Sequence, residues 1–255
     1  MITVGTKLRN TVAIPIALSL IGWTALVWAV GNMSAPLVAL TMPMDTAWSI
    51  AEGIAVWIMW SVMMMAMMLP SAIPMLSAHR RLAAQRDPQA PDGILWFLAG
   101  YLLVWTLFSL AATGLQWGFH RADVLSHMLR LESALVGGGI LIAAGVFQLT
   151  PRKAACLQKC RMPAEFLLSD WRPGRIGAAR MGLNHGKHCV VCCSGLMMLL
   201  FVGGVMSLAN IVVLTAIVAI EKLAPKGREI AQLVGIVLVA LGLWQILDAS
   251  RSLWP

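Results

Sequence analysis

Charge is the scarcest commodity in this chain. Asp, Glu, Lys and Arg together make up only 12% of its 255 residues, where a soluble domain carries about 25%. So few polar side chains cannot cover the surface of a soluble globule, which excludes a single soluble domain; they are also too few for a disordered chain. Acidic residues are rarer still, 11 against 19 Lys and Arg. Cysteine is sparse and odd in number, five in all, which excludes a secreted disulfide scaffold. Tyrosine occurs once, beside eleven Trp. What the chain does have is apolar side chains, 59% of residues, with a mean hydropathy of +0.80. An all-α polytopic bundle of membrane helices is the class that remains.

A helix needs about 20 mostly apolar residues to cross the hydrocarbon. Six stretches meet or approach this: 12–30, 47–69, 94–117, 134–149, 196–220 and 230–247. They predict one transmembrane domain with a long polar connection over 150–195. Lys7 and Arg9 precede the first stretch and Ala29-Val30-Gly31 closes it, as in a signal peptide. Its apolar run exceeds the roughly 7–15 residues of a signal core, so it reads as a retained helix. Trp28, Trp48, Trp96, Trp117 and Trp254 sit near helix ends, where amphipathic rings settle at headgroup level.

Basic residues orient such a bundle, because cytoplasmic connections carry the excess of Lys and Arg. Counted over alternate connections of six helices, 14 fall on one side and 5 on the other. This predicts that both termini and the 150–195 loop face the cytoplasm. The net charge of +8 then orients the chain and meets anionic lipid. No aromatic-basic motif accompanies it, and nucleic acid is discarded as a partner.

All five cysteines fall within 156–193. Cys156 and Cys160 are one helical turn apart. His185, His188, Cys189, Cys192 and Cys193 have offsets 0, 3, 4, 7 and 8, which gather on one helical face. A disulfide framework would not persist in a reducing cytoplasm, whereas thiolate and imidazole are ligands for copper(I) and zinc. These seven residues are the candidate metal ligands, with copper(I) favoured and zinc the alternative. Small apolar core residues would show the same pattern, and thiol redox chemistry is a third reading. Neither spacing is that of a standard zinc finger.

The second apolar stretch is rich in methionine. Met59, Met63 and Met67 project within about 80° of one another, with Glu52 on the same stripe. Thioethers select copper(I), and an acid inside a membrane segment faces the bundle interior by default. Met206 and Glu221 form a weaker counterpart in the fifth stretch, with Glu221 placed at its outer end beside Lys222. The stripe sketches a path from outer carboxylates through thioethers to the inner thiols. Packing by a flexible, gap-filling side chain explains the methionines equally.

Met63-Met-Met-Ala-Met-Met-Leu-Pro-Ser71, Cys156-x3-Cys160, the run from Trp171 through Gly182, His185-Gly186, Cys189 and Cys192-Cys193, and Glu221-Lys222-x2-Pro225-x-Gly227 resemble a domain-of-unknown-function family. That family consists of bacterial integral membrane proteins described as predicted metal-binding. The resemblance covers about residues 50 to 245. It implies a polytopic helical fold in the bacterial inner membrane and a bound metal, and it brings no established reaction.

Three functions compete. The first is handling of a soft metal in transport or delivery, with a metallochaperone or other membrane subunits as partners besides the bilayer. The second is an accessory subunit of a larger membrane metalloenzyme, such as a copper-dependent oxidase or monooxygenase. The third is a thiol oxidoreductase. No hydrolase or transferase constellation is present. The Gly-rich segment 174–186 lacks the Gly-Lys-Ser/Thr ending of a phosphate loop, and His79, His120 and His127 stand singly near helix ends. The chain therefore reads as a binding or transfer protein more readily than as an enzyme.

Overall fold

The computed structural model describes residues 2–43, 47–87, 93–126 and 129–252; Trp254 and His127 lie outside them. Ten helices follow in order: α1 (Ile2–Gly31), α2 (Pro36–Ala39), α3 (Ile50–Arg86), α4 (Gly93–Arg121), α5 (Ala134–Leu149), α6 (Pro151–Arg161), α7 (Pro163–Ser169), α8 (Gly174–Gly203), α9 (Leu208–Leu223) and α10 (Gly227–Ser252). No strand occurs among the described residues, only an isolated bridge between Leu125 and Leu131. The five long helices α1, α3, α4, α8 and α10 are long and apolar enough to cross a membrane. A sixth span results if α5 and α6, bent by 65° at Thr150, count as one broken span.

The helix starts are chemically marked. Ser49 caps α3 in a capping box: its side chain accepts from the Glu52 amide, and the Glu52 carboxylate accepts from the Ser49 amide at 2.7 Å. Ser133, Thr150 and Ser207 cap α5, α6 and α9 through the same Ser/Thr chemistry, satisfying amides that a helix start leaves open.

Two expected segments need correction. The segment 150–195 is no loop: it forms α6, α7 and the first part of α8, so His185 to Cys193 ride on a continuous helix. The stretch 196–220 is not one helix either. It breaks at 204–207, where Gly204 takes φ +94°, a conformation that costs glycine little and other residues much. The Asn210 side chain then donates to the Leu199, Leu200 and Gly204 carbonyls, closing the end of α8 from the start of α9. The chain reverses there, and α9 returns alongside α8. Cys189 and Lys222, each fourteen residues from its own side of the break, meet at 3.0 Å.

This reversal alters the topology. The start of α8 is tied to the end of α3 by the Gly174 amide donating to Asp87. The end of α8 is tied to the approach to α5 by the Leu131 amide donating to the Phe201 carbonyl. Helices α5 and α10 run antiparallel through glycine contacts, Gly145 on Gly235 and Gly138 on Gly242. Helix α1 runs antiparallel to α3, with Ser19 donating to the Ala66 carbonyl and Gly22 set against Val62 and Ala66. The start of α1 and the connections α3–α4, α5–α8 and α9–α10 share one face. The end of α10 lies on the other, so the expectation of both termini on one side fails. Lys222, Lys226 and Arg228 thereby move to the basic face and Arg251 leaves it. The Lys and Arg residues sort sixteen against three, more sharply than a six-helix count allows.

The backbones of α4 and α8 approach closely. A Cβ on Gly182 would fall 2.0 Å from the Phe97 carbonyl oxygen, and one on Gly100 would fall 2.2 Å from that of Ala179. Small residues let helix backbones approach in this way. The close approach carries Tyr101 of α4 against Cys189 of α8.

Candidate thiol centre

Four of the five sulfurs converge. Cys189, Cys192 and Cys193 are fully buried on α8, and half-buried Cys160 arrives from α6. The Cys192 sulfur lies 3.4 Å from that of Cys193 and 3.9 Å from that of Cys160. The Cys192 thiol also donates to the Cys189 carbonyl at 3.2 Å. The offsets 0, 3 and 4 along α8 place the three on one face, and α6 closes over them because Thr150 turns the chain back.

Two groups complete the cluster. The Tyr101 hydroxyl is 3.2 Å from the Cys189 sulfur; this is the only tyrosine in the sequence. The Lys222 ammonium of α9 donates to the Cys189 sulfur at 3.0 Å and to the Ser71 hydroxyl of α3 at 3.1 Å. Among the described residues no carboxylate pairs with Lys222. A buried charge without a counterion is costly, and among the described residues the thiols, with the Tyr101 hydroxyl beside them, are the groups placed to supply the compensating negative charge.

Beside the cluster lies a second buried network. Lys153 of α6 donates to the Glu221 carboxylate and to the Cys192 carbonyl, and Gln148 of α5 donates to the same carboxylate. Arg161 donates to the carbonyls of Glu221 and Pro225. Lys153 and Glu221 are each 1% exposed. Here the expectation for Glu221 is corrected: it lies on the basic face next to the thiols, not at an outer end. The reversal at 204–207 brought it there. The network clamps α5, α6, α8 and α9 together and so fixes the approach of Cys160.

The remaining candidates separate. His185 is buried and stacks on Tyr101 at 5.5 Å between ring centroids, with its Nδ1 unpartnered. Among the described residues His188 makes no contact with the sulfurs: its Nδ1 meets the Asn184 carbonyl and its Nε2 meets Lys159. Cys156 is half-buried and makes no sulfur contact among the described residues. Met59, Met63 and Met67 are all buried, as is Met206 in the break, which packing alone also requires. Glu52 serves the α3 capping box. Among the described residues, no three His, Cys, Asp or Glu side chains stand ready around a common point to hold a metal. The sulfurs instead touch one another, with Lys222 and Tyr101 against Cys189. Their donor type still fits a soft monovalent ion, and the 3.4–3.9 Å separations require only small side-chain rotations to admit one.

Lys153, Gln148, Tyr101 and Ser71 were not singled out from the sequence. Only one signal was available for them, a lysine or glutamine in or beside an apolar run. The partners that bring them to the centre lie between 39 and 151 positions away, beyond any local spacing.

The family model PpoB2, described as a copper chaperone, matches residues 57–245. That range contains the whole thiol cluster, Lys222, Tyr101 and the Lys153–Glu221 pair. No curated protein and no solved structure matches the chain.

Proposed function

The chain belongs to the PpoB2 copper chaperone family, and from that premise we propose that it is a membrane-embedded copper(I) chaperone whose cargo is held by the thiols of Cys160, Cys189, Cys192 and Cys193. The observation that carries this reading is the buried Lys222 ammonium on the Cys189 thiol of the cluster, with no carboxylate paired to it among the described residues. Two thiolates on copper(I) form a complex of charge −1, which Lys222 neutralises. Four thiolates on zinc(II) carry −2 and leave one charge unmatched in a buried site, at a cost of several kcal/mol. The basic face, on which the cluster opens, is the cytoplasmic side by the Lys and Arg count, where thiols remain reduced. Cys160, half-buried on the short helix α6, is the ligand through which the ion reaches or leaves the three deeper sulfurs. A copper enzyme is the natural recipient of such cargo, so the accessory-subunit reading becomes one of partnership with a metalloenzyme.

Purified protein reconstituted in lipid and titrated anaerobically with copper(I) should retain one ion against a competing chelator, with sulfur ligation in X-ray absorption. The Cys189→Ser/Cys192→Ser double variant should lose it. Retention of the ion by that variant, or wild-type protein with no affinity for copper(I), would refute the assignment.

A further inference from the structure

His188 has the preparation of a metal ligand but stands outside the thiol cluster. A carbonyl oxygen can only accept, so the 2.8 Å contact between Nδ1 and the Asn184 carbonyl fixes the proton on Nδ1. The lone pair is then on Nε2, and it is met by the Lys159 ammonium at 3.0 Å. A ligating histidine is typically set in this way, its other ring N–H donated to a carbonyl that fixes tautomer and orientation.

The imidazole lines an open cleft of about 430 Å³ between α6, α7 and the start of α8, shared with Gln158, Lys159, Met162 and Phe166. Phe166 sets its edge against both His185 and His188, at 5.6 and 6.0 Å, and so forms the wall between the cleft and the interior. The exposed Met162 thioether accepts from Gln158 and adds a second soft donor to the rim. No cysteine lines the cleft, but α6 and α8, which line it, also carry the cluster. Lys159 precedes Cys160 in the chain, and Cys192 is one turn beyond His188 on α8. The volume lies in the range of small-molecule sites.

We infer that this cleft is a loading site, distinct from the thiol centre, where His188 Nε2 takes copper(I) from a small thiol carrier and passes it to Cys160. The inference rests on the proposed copper(I) chaperone function. In the first exchange the Nε2 lone pair displaces Lys159 and replaces one carrier thiolate on the ion; that thiolate stays with the carrier. In the second, the Cys160 sulfur replaces Nε2, its proton passing to solvent; in the third, the Cys192 sulfur, 3.9 Å from that of Cys160, displaces the remaining carrier thiolate, which leaves with the Cys192 proton. Copper remains monovalent throughout, and no electron is transferred.

Stopped-flow loading of the full chain in lipid from copper(I)–glutathione tests this, with chelator competition measuring final affinity. His188→Ala should load about tenfold more slowly than wild type, the loss of a contact made only during transfer, with final affinity and stoichiometry unchanged. His188→Gln, which keeps a polar side chain of similar length, should show the same slow loading. Wild-type loading rates in both variants would overturn the loading site while leaving the chaperone function intact. Loss of final affinity together with rate would also overturn it, making His188 a ligand of the main site. Failure of wild-type protein to take copper(I) would remove both readings.

Discussion

Lys222 is the residue on which the chemistry of the cluster turns. Its ammonium is 7% exposed and its partners are a thiol and a hydroxyl, so folding buries a cation whose counter-charge must come from sulfur. Copper(I) on two thiolates preserves that balance. Lys222→Met, close to isosteric, leaves the complex as an unpaired buried anion, and truncating one member of a buried charge pair costs about 2–5 kcal/mol. Copper(I) affinity measured by chelator competition should therefore fall by about thirtyfold or more. Tyr101→Phe removes the hydroxyl's contacts with the Cys189 sulfur and the Met68 carbonyl and should cost about 1 kcal/mol, or roughly fivefold. An unchanged affinity for Lys222→Met would show that the ammonium serves the fold and not the ion.

At the scale of elements, the α4–α8 seam determines whether Tyr101 can reach Cys189 at all. The Gly182 position has the Phe97 carbonyl where a Cβ would go, and a backbone carbonyl cannot rotate aside as a side chain can. Gly182→Ala should force the two helices apart and cost about 1–3 kcal/mol of stability or more, as overpacking does. Gly118→Ala on the same α4, with open space around it, should be neutral or slightly stabilising. Heating the detergent-solubilised variants and following loss of the monodisperse species separates the two outcomes. The same contrast shows what could be read from the chain. Long uninterrupted apolar runs announced α1, α3, α4 and α10, because hydrocarbon thickness sets a length that composition reveals. The clustering of Cys189, Cys192 and Cys193 was legible from spacing along one helix. The α8–α9 break was not, because it falls inside an apolar run with no charged residue to mark it. Its signs were Gly203-Gly204 followed by Ser207 and Asn210, a glycine-allowed turn, a helix cap and a side-chain clasp. Tyr101, Lys153 and Ser71 reach the centre only through tertiary packing, which no local pattern encodes.

At the scale of the whole molecule, that one break decides which face each end of the chain occupies. With α9 running back beside α8, the Glu221–Lys222 segment returns to the basic face and joins the thiols, and α10 then carries the chain across to the opposite side. The charge distribution independently favours this arrangement. Sixteen Lys and Arg lie on the face that holds the start of α1, against Arg121, Arg130 and Arg251 on the other, and basic excess marks the cytoplasmic side. A reporter that is active only in the cytoplasm should therefore give signal when fused before α1 and none when fused after α10. A reporter active only outside should show the reverse. Cytoplasmic signal from both fusions would mean that α9 does not return to the basic face, and would also remove Lys222 and Glu221 from it. In that event the thiols would lose their buried cation, so the topology experiment tests the site's chemistry as well as the fold.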